Sequence, residues 1–438
     1  MVRGRFLISG ETVLKNGCVV VEGDRIVDVG PFDEMRKRYG CDVVLGDEWK
    51  VVAPGLINCH YHSREQLAQT LFPDGLGEEE WFSRYCLPYH EALGPDEERL
   101  AFQLALYSMA LNGITAFADG GIVYPSTTLE ALEAIPLRCF TSTWCWDVPE
   151  TLHRTVDEAL YELEQLYQTF HGRMNGLLRV CATPISTETC SEELLEEVFS
   201  WSRNKGLKTH IHAASFIEEF NRSVVKRGKA PVEYLAEKRL LNKDTVLLHA
   251  IHLSENDVKL IGDSGAAAVC CPMSALTKGK GLALKGKYPE LLRNGVRVGL
   301  GADGAPSSHH TDMLRLAALF AGIFRDARMD AKAVSAVEAW NAATSTAASV
   351  LGIDHETGSL EKGKKADIIL LDLRRPAFTP SSDILKSLVF SATGDSVDTV
   401  IVNGRVVVYH REIKGFDCEK VYEYACEAVS NLERNLAC

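Results

Sequence analysis

Apolar and polar positions follow two rhythms along this chain. Through residues 1 to about 53 the rhythm is short. Cys18 to Glu22 is mostly apolar, Gly23-Asp24 supplies a turn, and Arg25-Ile26-Val27-Asp28-Val29 alternates with period two, which predicts a hairpin. Pro54-Gly55 closes this stretch. From Gly55 onward, short apolar runs of strand type alternate with helical periodicity. Strands are expected near 51–59, 113–119, 137–146, 177–183, 207–213, 245–251, 266–271 and 296–302. Val156, Leu160, Leu163, Tyr167 and Phe170 recur at three- and four-residue steps, one face of a helix. Thr189 with Glu192 reads as a capping box before Leu194, Leu195 and Val198, and Gly206 stops that helix. After about residue 358 the strands return, at 366–372 and as a hairpin over 399–408 that turns at Asn403-Gly404. A last helix is expected over about 418–436, packed outside.

Eight strand–helix units imply a closed parallel barrel, although a doubly wound sheet would also alternate. The expected fold class is therefore α/β: a (β/α)₈ TIM barrel with a small β-sandwich built from both chain ends. The expected division is 1–53 for the first half of the sandwich, 54–357 for the barrel, and 358–438 for the second half and the terminal helix.

Composition narrows the function. The chain has 438 residues, a formal net charge of −13, 46% hydrophobic and 24% charged residues, as in an ordinary globular protein. An acidic surface repels phosphate backbones and anionic lipids, so neither nucleic acid nor membrane is an expected partner. The opening MVRGRFLISGETVLKNG has no apolar core of a signal peptide, and no run approaches 18 uninterrupted apolar residues. The 13 cysteines are odd in number and form no C-x-x-C pair, which argues against a zinc ribbon. Cys59, Cys139, Cys145, Cys181, Cys270 and Cys271 lie in apolar runs and read as buried thiols of a reducing cytoplasm.

On a barrel, chemistry belongs at the C-terminal ends of the strands. The first barrel strand ends Asn58-Cys59-His60-Tyr61-His62, and histidines two apart on a strand point to one side, within reach of one ion. The fifth ends Thr209-His210-Ile211-His212, the sixth at His249, and the eighth runs Gly299-Leu300-Gly301-Ala302-Asp303-Gly304. Any one of these residues could serve packing or capping. All four strand ends together point to a metal site, and histidines with a carboxylate suit Zn²⁺ or Fe²⁺.

This constellation resembles the amidohydrolase superfamily, and within it the aminohydrolase branch of cytosine, guanine and adenosylhomocysteine-type deaminases and triazine chlorohydrolases. The resemblance rests on residues 54–62, on Gly113 to Asp119, on Gly299 to Gly304, and on Gly358-Ser359-Leu360-Glu361-Lys362-Gly363-Lys364-Lys365-Ala366-Asp367. It implies that His60, His62, His212 and Asp303 hold one divalent metal ion, Zn²⁺ or Fe²⁺. It also implies that Asp303 takes a proton from the attacking water, and that His249 orients that water or steadies the developing charge. His212 rather than His210 aligns with the family ligand, because Glu219 falls in the family register. His210 would then point away or stand behind the ligands. No lysine ends strand four, so a carbamylated lysine bridging two metals is not expected. The implied reaction displaces an amine or another leaving group from a nitrogen heterocycle, a small-molecule substrate. A homo-oligomer is the family expectation.

Some positions depart from that pattern. Ser215 stands where deaminases carry a proton-shuttling glutamate, and a hydroxyl cannot replace a carboxylate at neutral pH. Glu218 and Glu219 are expected on the solvated or salt-bridged side of the next helix, the lesser alternative being that one of them substitutes for the missing acid. After strand seven, Ser274-Ala275 replaces Ser-Asn. His309 and His310 occupy a loop where asparagines are common, and either read substrate or are exposed loop histidines. Ser215, His309, His310 and Trp81 are the candidate substrate contacts; Trp81, Trp144 and Trp146 could stack on a flat ring or pack in the core. Ser215 keeps two alternatives open: hydrolysis of a non-ring amide, alkylamine or halide, and a metal-binding scaffold that has lost catalysis.

Overall fold

The computed structural model describes residues 1–148 and 154–436. In chain order the strands are β1 (Val2–Ser9), β2 (Thr12–Glu22), β3 (Arg25–Pro31), β4 (Lys50–Pro54), β5 (Leu56–His62), β6 (Ile114–Asp119), β7 (Arg138–Thr141), β8 (Leu178–Val180), β9 (Thr209–Ala213), β10 (Thr245–His249), β11 (Ala267–Cys270), β12 (Arg297–Leu300), β13 (Asp303–Gly304), β14 (Ile368–Asp372), β15 (Val397–Val402) and β16 (Arg405–Val408).

Strands β5 to β12 are the eight expected barrel strands, hydrogen-bonded in parallel in two runs, β13-β5-β6-β7-β8 and β12-β11-β10-β9. Two seams link the runs. Parallel bridges Ala182–Thr209 and Ser186–His212 join β8 to β9, and Asp303 pairs with Tyr61 at the other seam. Here Asn58 Oδ1 accepts the Ala302 N–H at 3.0 Å and the His60 N–H at 3.3 Å, holding strands one and eight together. Every residue of β5 and β6 is buried, as expected where a parallel sheet is covered on both faces.

The expected strand over 51–59 divides at Pro54-Gly55. β4 pairs antiparallel with β14 and parallel with β1, whereas β5 enters the barrel. A side chain at Gly55 would meet Thr115 Oγ1 at 2.0 Å, so glycine lets the chain cross between the two sheets here. Strands from both chain ends form one seven-stranded sheet, ordered β16-β15-β14-β4-β1-β2-β3. Both expected hairpins are present, turning at Gly23-Asp24 and Asn403-Gly404.

The helix Glu192–Lys205 is capped differently from the sequence expectation. Ser191 Oγ accepts the Leu194 N–H at 3.1 Å. Thr189 is spent elsewhere, because its Oγ1 accepts the Ser186 N–H at 3.1 Å. The terminal helix Cys418–Leu436 buries Val421 and Leu432 against Leu67, Tyr89 and Leu100, outside the barrel wall. At the base of β7, the fully buried Arg138 bonds Asp367 Oδ2 at 3.0 Å and Asn403 Oδ1 at 3.1 Å, tying the barrel to the terminal sheet. The six cysteines expected inside are buried and free. No helix among the described residues is long and apolar enough to cross a membrane.

Candidate active site

At the C-terminal mouth of the barrel four imidazoles and a carboxylate converge. His60 and His62 leave β5 on the same side, their ring centroids 4.6 Å apart. His212 ends β9 and donates from Nδ1 to the Ile185 carbonyl at 2.8 Å, which leaves Nε2 as a bare acceptor. That Nε2 lies 3.2 Å from His60 Nε2. Asp303 Oδ1 is 3.4 Å from His60 Nε2 and 3.5 Å from His62 Nε2. The donor atoms of His60, His62 and His212 fall within 4.8 Å of one another, as do those of His60, His249 and Asp303. Burial pushes the His62 and His212 imidazoles down to about 4, so both are neutral at pH 7. Burial alone would raise the Asp303 carboxyl, but the Lys280 ammonium and the neighbouring histidines hold it well below the usual carboxylate range. Neutral ring nitrogens and one carboxylate aimed at a common point are the donor set of a single Zn²⁺ or Fe²⁺ ion.

Backbone features fix this arrangement. A side chain at Gly120 would meet His62 Nδ1 at 2.4 Å, and one at Gly121 would meet Trp144 Cδ1 at 2.2 Å, so the two glycines after β6 open room for both rings. His249 and Asp303 both adopt left-handed backbone conformations, with φ of 68° and 64°. Such strain is held only where neighbours over-determine it. Tyr288 supplies part of that restraint, donating its hydroxyl to the His249 and Val269 carbonyls. For Asp303 the restraint is Ser274, whose Oγ donates to Oδ2 at 2.5 Å, while the Gly304 N–H donates to Oδ1 at 2.9 Å.

A cavity of about 630 Å³ opens above this cluster, the size of a small-ligand site. Its wall includes His62, Ser215, Trp81, Trp144, His249 and Asp303. Ser215 is buried and its Oγ has no hydrogen-bond partner among the described residues. His210 is buried but stands apart from the convergent donors. His309 and His310 are not part of the wall. His309 is exposed, and His310 Nδ1 accepts the Asp312 N–H at 3.2 Å, a local turn bond.

The structure corrects one expectation and adds three residues. Glu219 is not on a solvated face: it is buried and accepts the N–H groups of Ala214 at 3.0 Å and Ser215 at 2.6 Å. The turn needs this clamp because Ala214 has a left-handed φ of 54°. Burial raises the Glu219 carboxyl to about 7. Glu65, on the turn Ser63–Ala68 after β5, lines the cavity with its carboxyl buried. Lys280 is also buried, its Nζ 3.5 Å from both His249 Nε2 and Asp303 Oδ2. A lysine cannot accept, so His249 Nε2 does, and the His249 ring proton resides on Nδ1. Lys278 reaches the same cavity and lies 5.1 Å over the Trp81 ring. Glu65, Lys280 and Lys278 carry no sequence signal stronger than a charged residue in a loop or on a helix.

The family model for amidohydrolases matches residues 51–407, and that for a bacterial imidazolonepropionase-like composite domain matches 17–40. A 5-methylthioadenosine/S-adenosylhomocysteine deaminase of Caldanaerobacter subterraneus is 32% identical, over 97% of this chain and 96% of that protein. A 5'-deoxyadenosine deaminase of Methanothermobacter thermautotrophicus is 31% identical, over 97% of this chain and 98% of that protein. The fold is that of a zinc-bound adenosine deaminase from Xanthomonas campestris, with a TM-score of 0.94 at 23% identity, covering 99% of this chain and 98% of that one. A zinc complex of atrazine chlorohydrolase from Arthrobacter aurescens superposes with a TM-score of 0.88 at 22% identity, covering 98% and 100%.

Proposed function

The chain belongs to the amidohydrolase family, and on that premise we propose that it deaminates an amino-substituted nitrogen heterocycle of the purine class, with one Zn²⁺ or Fe²⁺ ion held by His60, His62, His212 and Asp303. The observation that carries this reading is the convergence of these four side chains under a cavity large enough for a nucleoside. Relatives matched over nearly the whole chain are named for adenine-containing nucleosides.

The bound cation supplies Lewis acidity, lowering the pKa of a water at the site towards about 7. The protein supplies the rest. Asp303 is the base that takes the attacking water's proton, and Ser274 and the Gly304 N–H hold its two oxygens in place. His249, whose Nε2 is an acceptor fixed beside Lys280, orients the attacking water. Trp81 and Trp144 form flat cavity walls suited to a ring, and Ser215 is a polar contact beside them.

The wider architecture belongs to the same reading. The seven-stranded terminal sheet acts as the family's small β-sandwich, contributed by 1–53 and 358–438 around a barrel of 54–357. Its support is a separate apolar core of Val2, Leu7, Val19, Ile26, Ile368 and Ile401. Buried free thiols favour the cytoplasm, and the family resemblance favours a homo-oligomer. Ser215 in place of a glutamate favours one second reading, loss of a leaving group such as halide that needs no proton.

The test is ammonia and chloride release by zinc- or iron-loaded protein offered aminopurine nucleosides, pterins, pyrimidines, aminotriazines and chlorotriazines in separate pools. Ammonia from the purine pool is the expected result. Release of chloride from a chlorotriazine without ammonia from any pool would overturn the reading in favour of the second.

A further inference from the structure

We propose that Glu65 is the proton carrier of this site, the catalytic residue that does from the end of strand one what a glutamate at position 215 does in the deaminases this chain resembles. The proposal rests on the deaminase reading above. Three observations carry it.

The first is the anchoring of its carboxyl. Arg64 Nη1 lies 3.3 Å from His90 Nδ1, and a guanidinium can only donate, so His90 Nδ1 is the acceptor. The neutral His90 ring then carries its proton on Nε2, which donates to Glu65 Oε1 at 3.3 Å. Arg64 is itself fixed by Glu98 at 2.6 Å. This Glu98–Arg64–His90 chain orients one oxygen of Glu65 and, among the described residues, leaves the other free of any such bond. The same proton assignment takes His90 out of consideration as a metal ligand, although Glu65, Cys86 and His90 lie close enough to hold an ion.

The second is position. Oε2 sits 1.8 Å from where a side-chain carbon on Gly304 would be, so the free oxygen occupies the space beside the backbone of Gly304, the residue after Asp303. Glu65, Ser215 and Asp303 line one cavity.

The third is elimination among buried carboxyls near the mouth. Both oxygens of Glu219 accept backbone N–H groups. Both oxygens of Asp119 do likewise, from Ser63 and Gly121. Protonating either would sacrifice a hydrogen bond that holds a loop. Glu65 alone of the three has an oxygen to spare. Burial also raises its carboxyl to about 7, opposed by His62, Lys278 and Arg64 and reinforced by Asp303, which suits exchange in both directions near neutrality.

The chemistry balances with water alone. As the water oxygen bonds to the amine-bearing ring carbon, one water proton passes through the Glu65 carboxylate to the adjacent ring nitrogen. The second water proton is taken by Asp303, the base of the reading above, and passes from it to the amine. The C–N bond breaks, ammonia leaves, a carbonyl forms, and Glu65 ends as it began.

Glu65→Gln keeps the shape and the hydrogen bond from His90 but cannot carry a proton. It should lower kcat at least 100-fold with KM within threefold of wild type, and retain wild-type zinc content. Adding Ser215→Glu to that variant should restore kcat at least tenfold. Retention of more than a third of wild-type kcat would overturn the proposal, and so would loss of zinc, which would make Glu65 a ligand. A readout independent of any substrate is the infrared carbonyl stretch of a protonated carboxylic acid in the metal-free protein near pH 6. A decrease of that band in Glu65→Gln supports the proposal, and an unchanged spectrum overturns it. Failure of the wild-type enzyme to release ammonia would instead count against the deaminase reading, and the infrared result would still decide whether Glu65 holds a proton.

Discussion

The Nε2 atoms of His60 and His212 face each other at 3.2 Å, each on a ring that burial keeps neutral. Two lone pairs at that distance repel unless a proton or a cation lies between them. Removing the metal with a chelator should therefore lower the melting temperature, and restoring zinc should raise it in a concentration-dependent way. At a hundredfold excess over Kd the gain is about 2.7 kcal/mol. His60→Ala should abolish both the shift and stoichiometric zinc, read by calorimetry and elemental analysis; stoichiometric zinc in the variant would remove His60 from the ligand set.

Gly120 tests whether the His62 ring must sit where it does. Gly120→Ala places a carbon 2.4 Å from Nδ1 and should weaken zinc binding at least tenfold. Gly322, exposed on the helix Met313–Arg328 with nothing near its missing side chain, is the control. Gly322→Ala should leave zinc affinity unchanged and stabilise the fold by about 0.5–1 kcal/mol.

Ser274 should matter through Asp303. Ser274→Ala frees one carboxylate oxygen that is now held at 2.5 Å. We expect a 10–100-fold fall in kcat/KM or metal affinity, the range found when an outer partner of a metal ligand is lost. Steady-state kinetics with zinc content measured in parallel separates the two, and wild-type values for both would make the contact incidental.

His310 gives a pH dependence. Burial lowers its imidazole to about 4 from the ordinary 6.5, with Arg315 and His309 adding to the effect. A depressed histidine contributes stability that is complete above pH 6.5 and is lost as pH falls from there towards 4. His310→Asn can still accept the Asp312 N–H but does not titrate. The variant should lose up to about 2 kcal/mol less than wild type between pH 7 and pH 5, measured by urea denaturation. Equal losses would mean that His310 titrates normally.

Arg138 should be the costliest surface-remote substitution. Arg138→Leu leaves Asp367 buried without its charged partner, and breaking a buried pair in this way costs about 3–5 kcal/mol. A change under about 1 kcal/mol would show that Asp367 is adequately served by the Asn403 N–H alone.

The sequence revealed the parts of this molecule whose signal is local. The barrel strands are apolar runs of the right length, and His60 and His62 announce themselves by alternation on one strand. Sequence position alone puts Glu219 on the polar side of its helix. Its burial follows from a clamp on the left-handed turn at Ala214, which no pattern of hydrophobicity reports. The capping role passed from Thr189 to Ser191 for a similar reason, since Ser186 competes for the threonine hydroxyl. Glu65 was invisible because Ser-Arg-Glu-Gln reads as an ordinary polar turn. Only the approach of His90 and Gly304, remote in sequence, gives it a place in the site.

The antiparallel pairing of β4 with β14 sets Ala53 against Ile369. During synthesis the first four strands leave the ribosome long before their partner exists. At about 5–20 residues per second the wait for β14 is roughly 15–60 s. Throughout it, β4 presents an all-apolar edge apart from Lys50, a template for pairing with any other nascent chain. Yield in a cell should therefore respond to translation speed and chaperone supply more than the stability of the finished protein would suggest.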